Sequence, residues 1–110
     1  MLDGSCPVEF TLSILDGKWT FLIMRDLLGG VRRFGELRNS LRPISPKTLT
    51  DRLRALEEQE IITRTIFSEV PLHVEYRLTE RGKSMKPIFQ AMITWAETVD
   101  PGLTKETCED

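Results

Sequence analysis

A chain of 110 residues, 40% apolar and 29% charged, builds one domain with a single core of modest size. No stretch approaches the ~18–20 consecutive apolar residues that span a bilayer, and no basic, apolar leader opens the chain, so a cytoplasmic protein with no membrane partner is expected. The formal net charge of −2 argues at first against a nucleic-acid partner.

The distribution of charge argues otherwise. From Arg32 to Arg54 there are seven basic residues against Glu36 and Asp51, a net +5, whereas Glu97 to Asp110 carries five acids against Lys105, a net −4. A basic pole of this kind is compatible with phosphate binding, although solvated faces also segregate charge by chance. Cys6 and Cys108 stand 102 positions apart, which is neither a disulfide framework nor a metal-knuckle spacing. No cofactor is called for, and no catalytic set, Gly-rich phosphate loop or metal spacing marks an enzyme.

In chain order, Met1 to Ser5 read as a flexible start. Cys6-Pro7 opens a first helix whose apolar stripe is Val8, Leu12 and Leu15, with Phe10 and Ile14 beside it, and Asp16-Gly17 breaks it. A second helix from about Lys18 to Leu28 turns Trp19, Leu22, Ile23 and Leu27 inward, and Gly29-Gly30 ends it. A short third helix spans roughly Phe34 to Leu41, with Phe34, Leu37 and Leu41 on one face. Arg42-Pro43 makes the next turn, because the residue before proline is pushed out of the helical region.

The stretch that follows carries the most information. Ser45 is placed to cap a helix and Pro46 to occupy its first position. Leu49, Leu53 and Leu56 recur at one helical face, while Lys47, Thr48, Thr50, Asp51 and Arg54 occupy the opposite one. That polar, basic, short-branched face suits the floor of a DNA major groove. Ser45 to Glu58 is therefore read as the recognition helix of a helix-turn-helix, though an ordinary three-helix bundle satisfies the same pattern.

Beyond it the period changes. Ile61 to Phe67 is β-branched and aromatic, Ser68 to Leu72 reads as a loop, and His73 to Leu78 alternates again. A two-stranded ribbon directly behind a helix-turn-helix is the layout of a winged helix. Thr79 then caps a last helix running to Val99, with Gly82 and Pro87 weakening its first turns. Its apolar residues, among them Met85, Phe89, Met92, Trp95 and Val99, wrap most of the circumference. A second chain is the simplest cover for the surplus face, so a homodimer through the first and last helices is expected, with burial inside the monomer as the other solution. The fold expected is mainly α with a small β-wing. It comprises a winged helix-turn-helix over residues 6–99, whose dimerisation helix is 79–99, followed by a flexible acidic tail over 100–110.

These residues together resemble the HxlR family of bacterial winged-helix regulators, relatives of the MarR group. The resemblance is carried by Cys6-Pro7, Gly17-Lys18-Trp19, Arg33 to Arg38, Ile44-Ser45 through Leu56-Glu57, Val70-Pro71 with Val74-Glu75-Tyr76, and Leu78 to Gly82. It covers about residues 6 to 97. It implies a homodimeric DNA-binding transcription regulator, often a repressor near stress or detoxification genes. In several members a cysteine just before the first helix senses quinones, aldehydes, diamide or hypochlorite, and Cys6 falls on that position. Cys108 resembles the C-terminal cysteine that some members pair with it across the dimer; in a reducing cytoplasm such a bond is transient. Three positions differ from the family's usual pattern. Pro46 replaces a polar residue, Gln59-Glu60 stands in place of Asp-Gly after the recognition helix, and the wing tip from Glu69 to Leu72 has no arginine.

On double-stranded DNA, Ser45 caps the reading helix, and Lys47, Thr48, Thr50 and Arg54 are expected at base edges or nearby phosphates. Arg52, on the flank, is expected on a phosphate or an internal carboxylate. Arg32, Arg33 and Arg38 are expected on the backbone, and His73, with Arg64 and Arg77, supplies the wing's basic candidates. Asp51 is unfavourable there unless it accepts from a cytosine amino group or orients a lysine. Cys6 has two readings. It is either a small residue with no chemistry, or a thiol whose thiolate is stabilised by the free N–H groups of the helix start, with Glu9 opposing. Three functions follow from these readings. One is a regulator, most simply a repressor, that grips a two-fold operator and is switched by electrophiles or oxidants at Cys6. Another is the same fold controlled by a small ligand near the dimer helices. The third is a winged helix that binds only protein.

Overall fold

The computed structural model describes residues 6–103. The expected flexible start, Cys108 and most of the expected acidic tail lie outside the described residues. In chain order the elements are α1 (Pro7–Ile14), α2 (Gly17–Leu28), β1 (Arg32–Arg33), α3 (Phe34–Ser40), α4 (Pro46–Glu58), β2 (Ile62–Phe67), β3 (His73–Leu78), α5 (Glu80–Lys83) and α6 (Lys86–Val99). This is a winged helix-turn-helix, mainly α with a small sheet. No helix among the described residues is long and apolar enough to cross a membrane.

Pro7 opens α1 where no N–H is needed, and the Cys6 carbonyl accepts the first helical bond, from Phe10 N at 2.9 Å. Only Ile14 and Leu15 of this helix reach the core. Val8 and Leu12 of the expected apolar stripe are exposed in the monomer, as is Phe10. With eight residues α1 is too short to lay a whole stripe on the domain, and only its C-terminal end meets the core. Gly17 then takes φ +82°, a left-handed conformation that glycine adopts freely, and reverses the chain into α2. Ile23, Met24 and Leu27 of α2 are buried, and Phe21 meets Phe89 of α6 edge to face, ring centroids 4.7 Å apart.

The sheet has the antiparallel order β1-β3-β2. Ile62 pairs with Leu78, Arg64 with Tyr76 and Ile66 with Val74, so one face presents Ile62, Tyr76 and Leu78 to the helices. The third strand was not among the expected elements. Arg32 pairs with Tyr76 and Arg33 with Glu75. Two arginines carry no alternation, and their strand exists only because β3 offers a free edge.

The expected last helix is two. Thr79 Oγ1 accepts from Gly82 N at 3.0 Å and caps α5, but the helix stops at Lys83 and restarts at Lys86. Pro87 has no N–H to give the Lys83 carbonyl, so a continuous helix would leave that carbonyl unpaired, whereas in the first turn of α6 the missing donor costs nothing. Gly82 is needed here for space. A Cβ at this position would run into the Ile61 carbonyl oxygen and stand 2.9 Å from Leu78 Cδ2. At the far end, Asp100 to Leu103 close a turn in which the Asp100 carboxylate accepts from Gly102 N at 3.2 Å.

The end of α4 explains how the Asp-Gly of the family pattern is replaced. Ile61 N donates to the Leu56 carbonyl at 3.0 Å and Glu60 N to the Glu57 carbonyl at 3.0 Å, the two bonds of a Schellman ending. The residue between them, Glu60, has φ +62°. A side chain in this conformation is disfavoured by about 1 kcal/mol or more relative to glycine. Glu60→Gly is therefore expected to raise stability by about 1 kcal/mol, or roughly 5 °C in Tm for a domain of this size. Thermal unfolding at fixed protein concentration checks it, and a lowered Tm contradicts it.

Candidate nucleic-acid interface

The three leucines of α4 are nearly inaccessible, with Leu49 at 0% and Leu53 and Leu56 at 2% of full exposure. They lock the helix against the core through α2 and β2. Ser45 fixes its start: its Oγ accepts from Thr48 N at 3.1 Å and its hydroxyl donates to Thr48 Oγ1 at 2.9 Å. Having accepted that bond, the Thr48 hydroxyl keeps its own hydrogen for an outside acceptor.

The opposite side of the helix is open. Lys47, Asp51 and Arg54 are exposed, and Thr48 and Thr50 are half-exposed. Lys47 Nζ lies 2.9 Å from Asp51 Oδ2, with the lysine side chain 86% accessible. Asp51 thus orients a lysine, one of its two expected uses, and the pair is too exposed to matter for stability. Arg52 points to the flank, 3.8 Å from Oδ2 of the exposed Asp16 in the α1–α2 connection.

The backbone candidates divide. Arg33 and Arg38 are exposed at the start and the middle of α3, where Glu36 Oε1 accepts from Arg33 N at 2.8 Å and holds the helix start. Arg32 points the other way, because neighbouring strand residues face opposite sides of a sheet. It donates to the Val31 carbonyl at 3.0 Å and shares a groove with Arg25, Lys86 and Phe89, not with α4. His73 is held inside the ribbon. Its ring stacks on Phe67 at 4.8 Å, and its nitrogens lie 3.1 Å from the Pro71 carbonyl and 3.2 Å from Glu75 Oε2. At the wing tip Val70 and Leu72 are exposed without a cation beside them. Cys6 is the residue before α1, half-buried, and its thiol makes no capping hydrogen bond. Cys108 lies outside the described residues.

Residues 14–102 match the family described as HxlR-like helix-turn-helix. The chain belongs to that family. It is similar to the HTH-type transcriptional regulator sll1512 of Synechocystis, 42% identical over 104 residues that are 94% of this chain and 75% of the relative. YodB, an HTH-type transcriptional regulator of Bacillus subtilis, is 39% identical over 96% of this chain and 94% of its own. Reduced YodB superposes with a TM-score of 0.79, covering 94% of this chain and 100% of that one at 36% identity. The diamide-treated form of YodB gives 0.73 over 86% of this chain and 95% of that one, at 38% identity. The redox regulator HypR in its reduced form gives 0.79, with 40% identity over 84% of this chain and 92% of that one. This HxlR-like protein is accordingly a transcriptional regulator of the helix-turn-helix type, and the named relatives are regulators, not enzymes.

Ser45→Ala removes the acceptor for Thr48 N and is expected to lower stability by about 1 kcal/mol, while Ser45→Asn retains most of it. Denaturant unfolding of the three proteins at one concentration measures both effects, and an Ala variant as stable as the native chain contradicts the cap.

Proposed function

We propose that this HxlR-like protein is a homodimeric, sequence-specific repressor of stress or detoxification genes, acting in the cytoplasm and released from its operator when an electrophile or oxidant modifies Cys6. The observation that carries the DNA-binding part is the outward face of α4. It is polar, basic at Lys47 and Arg54, capped at Ser45, and uncovered by any other part of the described chain. In this reading Lys47, Thr48 and Thr50 reach base edges, Arg54 reaches an edge or a phosphate, and Arg33 and Arg38 sit on the backbone. Arg32 and His73 are poorer candidates for direct contact, since each is engaged elsewhere. Several phosphate contacts demand an affinity that falls steeply with salt, and a winged helix that binds only protein shows no such dependence on any duplex.

The dimer is supported by apolar surface that the monomer leaves bare. Val8 is 66% exposed and Trp95 is 68% exposed, with Phe10 and Leu12 of α1 and Met92 and Val99 of α6 also open to solvent. Such a surface marks an association site. A two-fold pair presents two copies of α4 to half-sites about one helical turn apart. Trp95→Asp disturbs no core contact of the monomer. It is expected to shift the protein to monomers in analytical ultracentrifugation and to weaken operator binding at least about tenfold. A dimer that persists at native affinity removes this interface.

The switch is supported by position. Cys6 precedes α1, one of the two helices proposed to form the interface, so chemistry at its thiol acts where the spacing of the two reading helices is set. YodB and HypR, the redox regulator, share the fold and over a third of the sequence. Cys6→Ser is expected to bind the protein's own upstream DNA as the native chain does and to ignore diamide or quinone. Gel shifts with and without diamide read this directly. The second reading, control by a small ligand, is favoured by a groove of about 550 Å³ between α2 and α6, lined by Phe21, Phe89 and Met92. Release of Cys6→Ser by the same inducers would select it.

A further inference from the structure

Between α4 and the β-ribbon lies a cleft of about 360 Å³. Its helix wall is the stripe Thr50, Arg54 and Glu57, four and then three residues apart and so on one side of α4. Its ribbon wall includes Arg64, whose partner across the ladder is the buried Tyr76. That register puts Arg64 on the helix-facing side of the sheet, where it is exposed and lines the same cleft as Arg54. Phe34 and Val74 add apolar side chains to the lining.

Neither Arg54 nor Arg64 has a side-chain hydrogen bond or ion pair among the described residues, and nor does Arg38, whereas several other cations of α4, its approach and the ribbon do. Lys47 is held by Asp51, Arg52 by Asp16, Arg42 by Asn39 and Arg77 by Glu75. Two unpaired guanidiniums that line one cleft can be joined by a single anion. A guanidinium fork matches the paired oxygens of a phosphate. Glu57 opposes an anion, but it occupies the end of the stripe toward the helix C-terminus. The Thr50 hydroxyl, a further donor, occupies the other end, toward the reading face.

We propose that Arg54 and Arg64 clamp one phosphodiester of the duplex in this cleft, with Thr50 as a third donor. The clamp rests on the DNA-binding reading given above and adds to it. It assigns Arg54 to the backbone, moves Thr50 there from the base edge given to it above, and leaves sequence discrimination to Lys47 and Thr48. It also supplies, at the root of the ribbon, the cation that the wing tip lacks.

Fluorescence anisotropy of the full chain on its own upstream duplex and on an unrelated duplex, over a salt series, tests this. The proteins are native, Arg64→Ala, Arg64→Lys, and Arg81→Ala as a remote loss of one positive charge. Arg64→Ala is expected to weaken both duplexes by a similar factor, roughly tenfold or more near 0.1 M salt, and to reduce the log–log salt slope by about one per protomer. Arg64→Lys recovers most of the affinity and Arg81→Ala loses none. Native affinity and slope in Arg64→Ala overturn the clamp alone, as does a change in preference between the two duplexes at an unchanged slope. Equal losses of thermal stability in Arg64→Ala and Glu57→Gln with unchanged binding make those two residues an internal pair, and also overturn it. A native chain that shows no salt-dependent binding to any duplex overturns the regulator reading, and the clamp with it.

Discussion

The burial of three leucines on one side of α4 is the constraint from which the rest of the surface follows. Each of Leu49, Leu53 and Leu56 contributes roughly 1.5–3 kcal/mol by leaving water. Turning the helix by a single residue position would expose them and bury charged groups. The helix therefore has one rotational setting, and that setting decides which side chains face outward. Both ends are tied as well, by the Ser45 cap at the start and by the bonds from Ile61 N and Glu60 N at the finish. A helix tied at both ends is pre-organised, so the groove binding proposed for it requires little further ordering.

The ties at the two ends of α4 lead to the rest of the molecule. Arg52 reaches Asp16 at the joint between α1 and α2. The Thr79 hydroxyl donates to the Glu60 carbonyl at 2.7 Å, and Thr79 N donates to the Ile61 carbonyl at 2.9 Å, which joins the start of α5 to the end of α4. The elements with bare apolar faces, α1 and α6, are thus linked to α4 near its middle and near its end, and α6 also through the Phe21–Phe89 contact with α2. A displacement of α1 would arrive at the middle of α4 through Asp16 and the buried Ile14 and Leu15. A displacement of α6 would arrive through α5 and Thr79.

Two departures from the family pattern have local physical accounts. Glu60 occupies a left-handed position that glycine would fill at lower cost, yet the ending is intact, because the bonds around it depend on backbone groups alone. The wing tip has Val70, Pro71 and Leu72 where a cation would ordinarily strengthen a DNA contact, while His73 is stacked on Phe67 and bound to Glu75. The basic character of this ribbon lies at its root, in Arg64 and Arg77, and not at its tip.

Much of this architecture was legible in the residue order. The leucine period, the Ser45-Pro46 start, the change of period at Ile61 and the alternation from His73 depend on neighbours within a few positions, so sequence alone determined α4, the ribbon and their succession. Local chemistry could not reveal β1, because two arginines become a strand only when Tyr76 and Glu75 of β3 lie beside them. Nor could it separate Arg32 from Arg33, or show that Arg64 lines the same cleft as Arg54, since both facts are set by sheet register. The space required at Gly82 depends on the Ile61 carbonyl, some twenty residues earlier in the chain. Periodicity determines which face of each element is apolar. Only the packing of distant elements decides which of those faces are covered, and which charged groups are left facing one another without a partner.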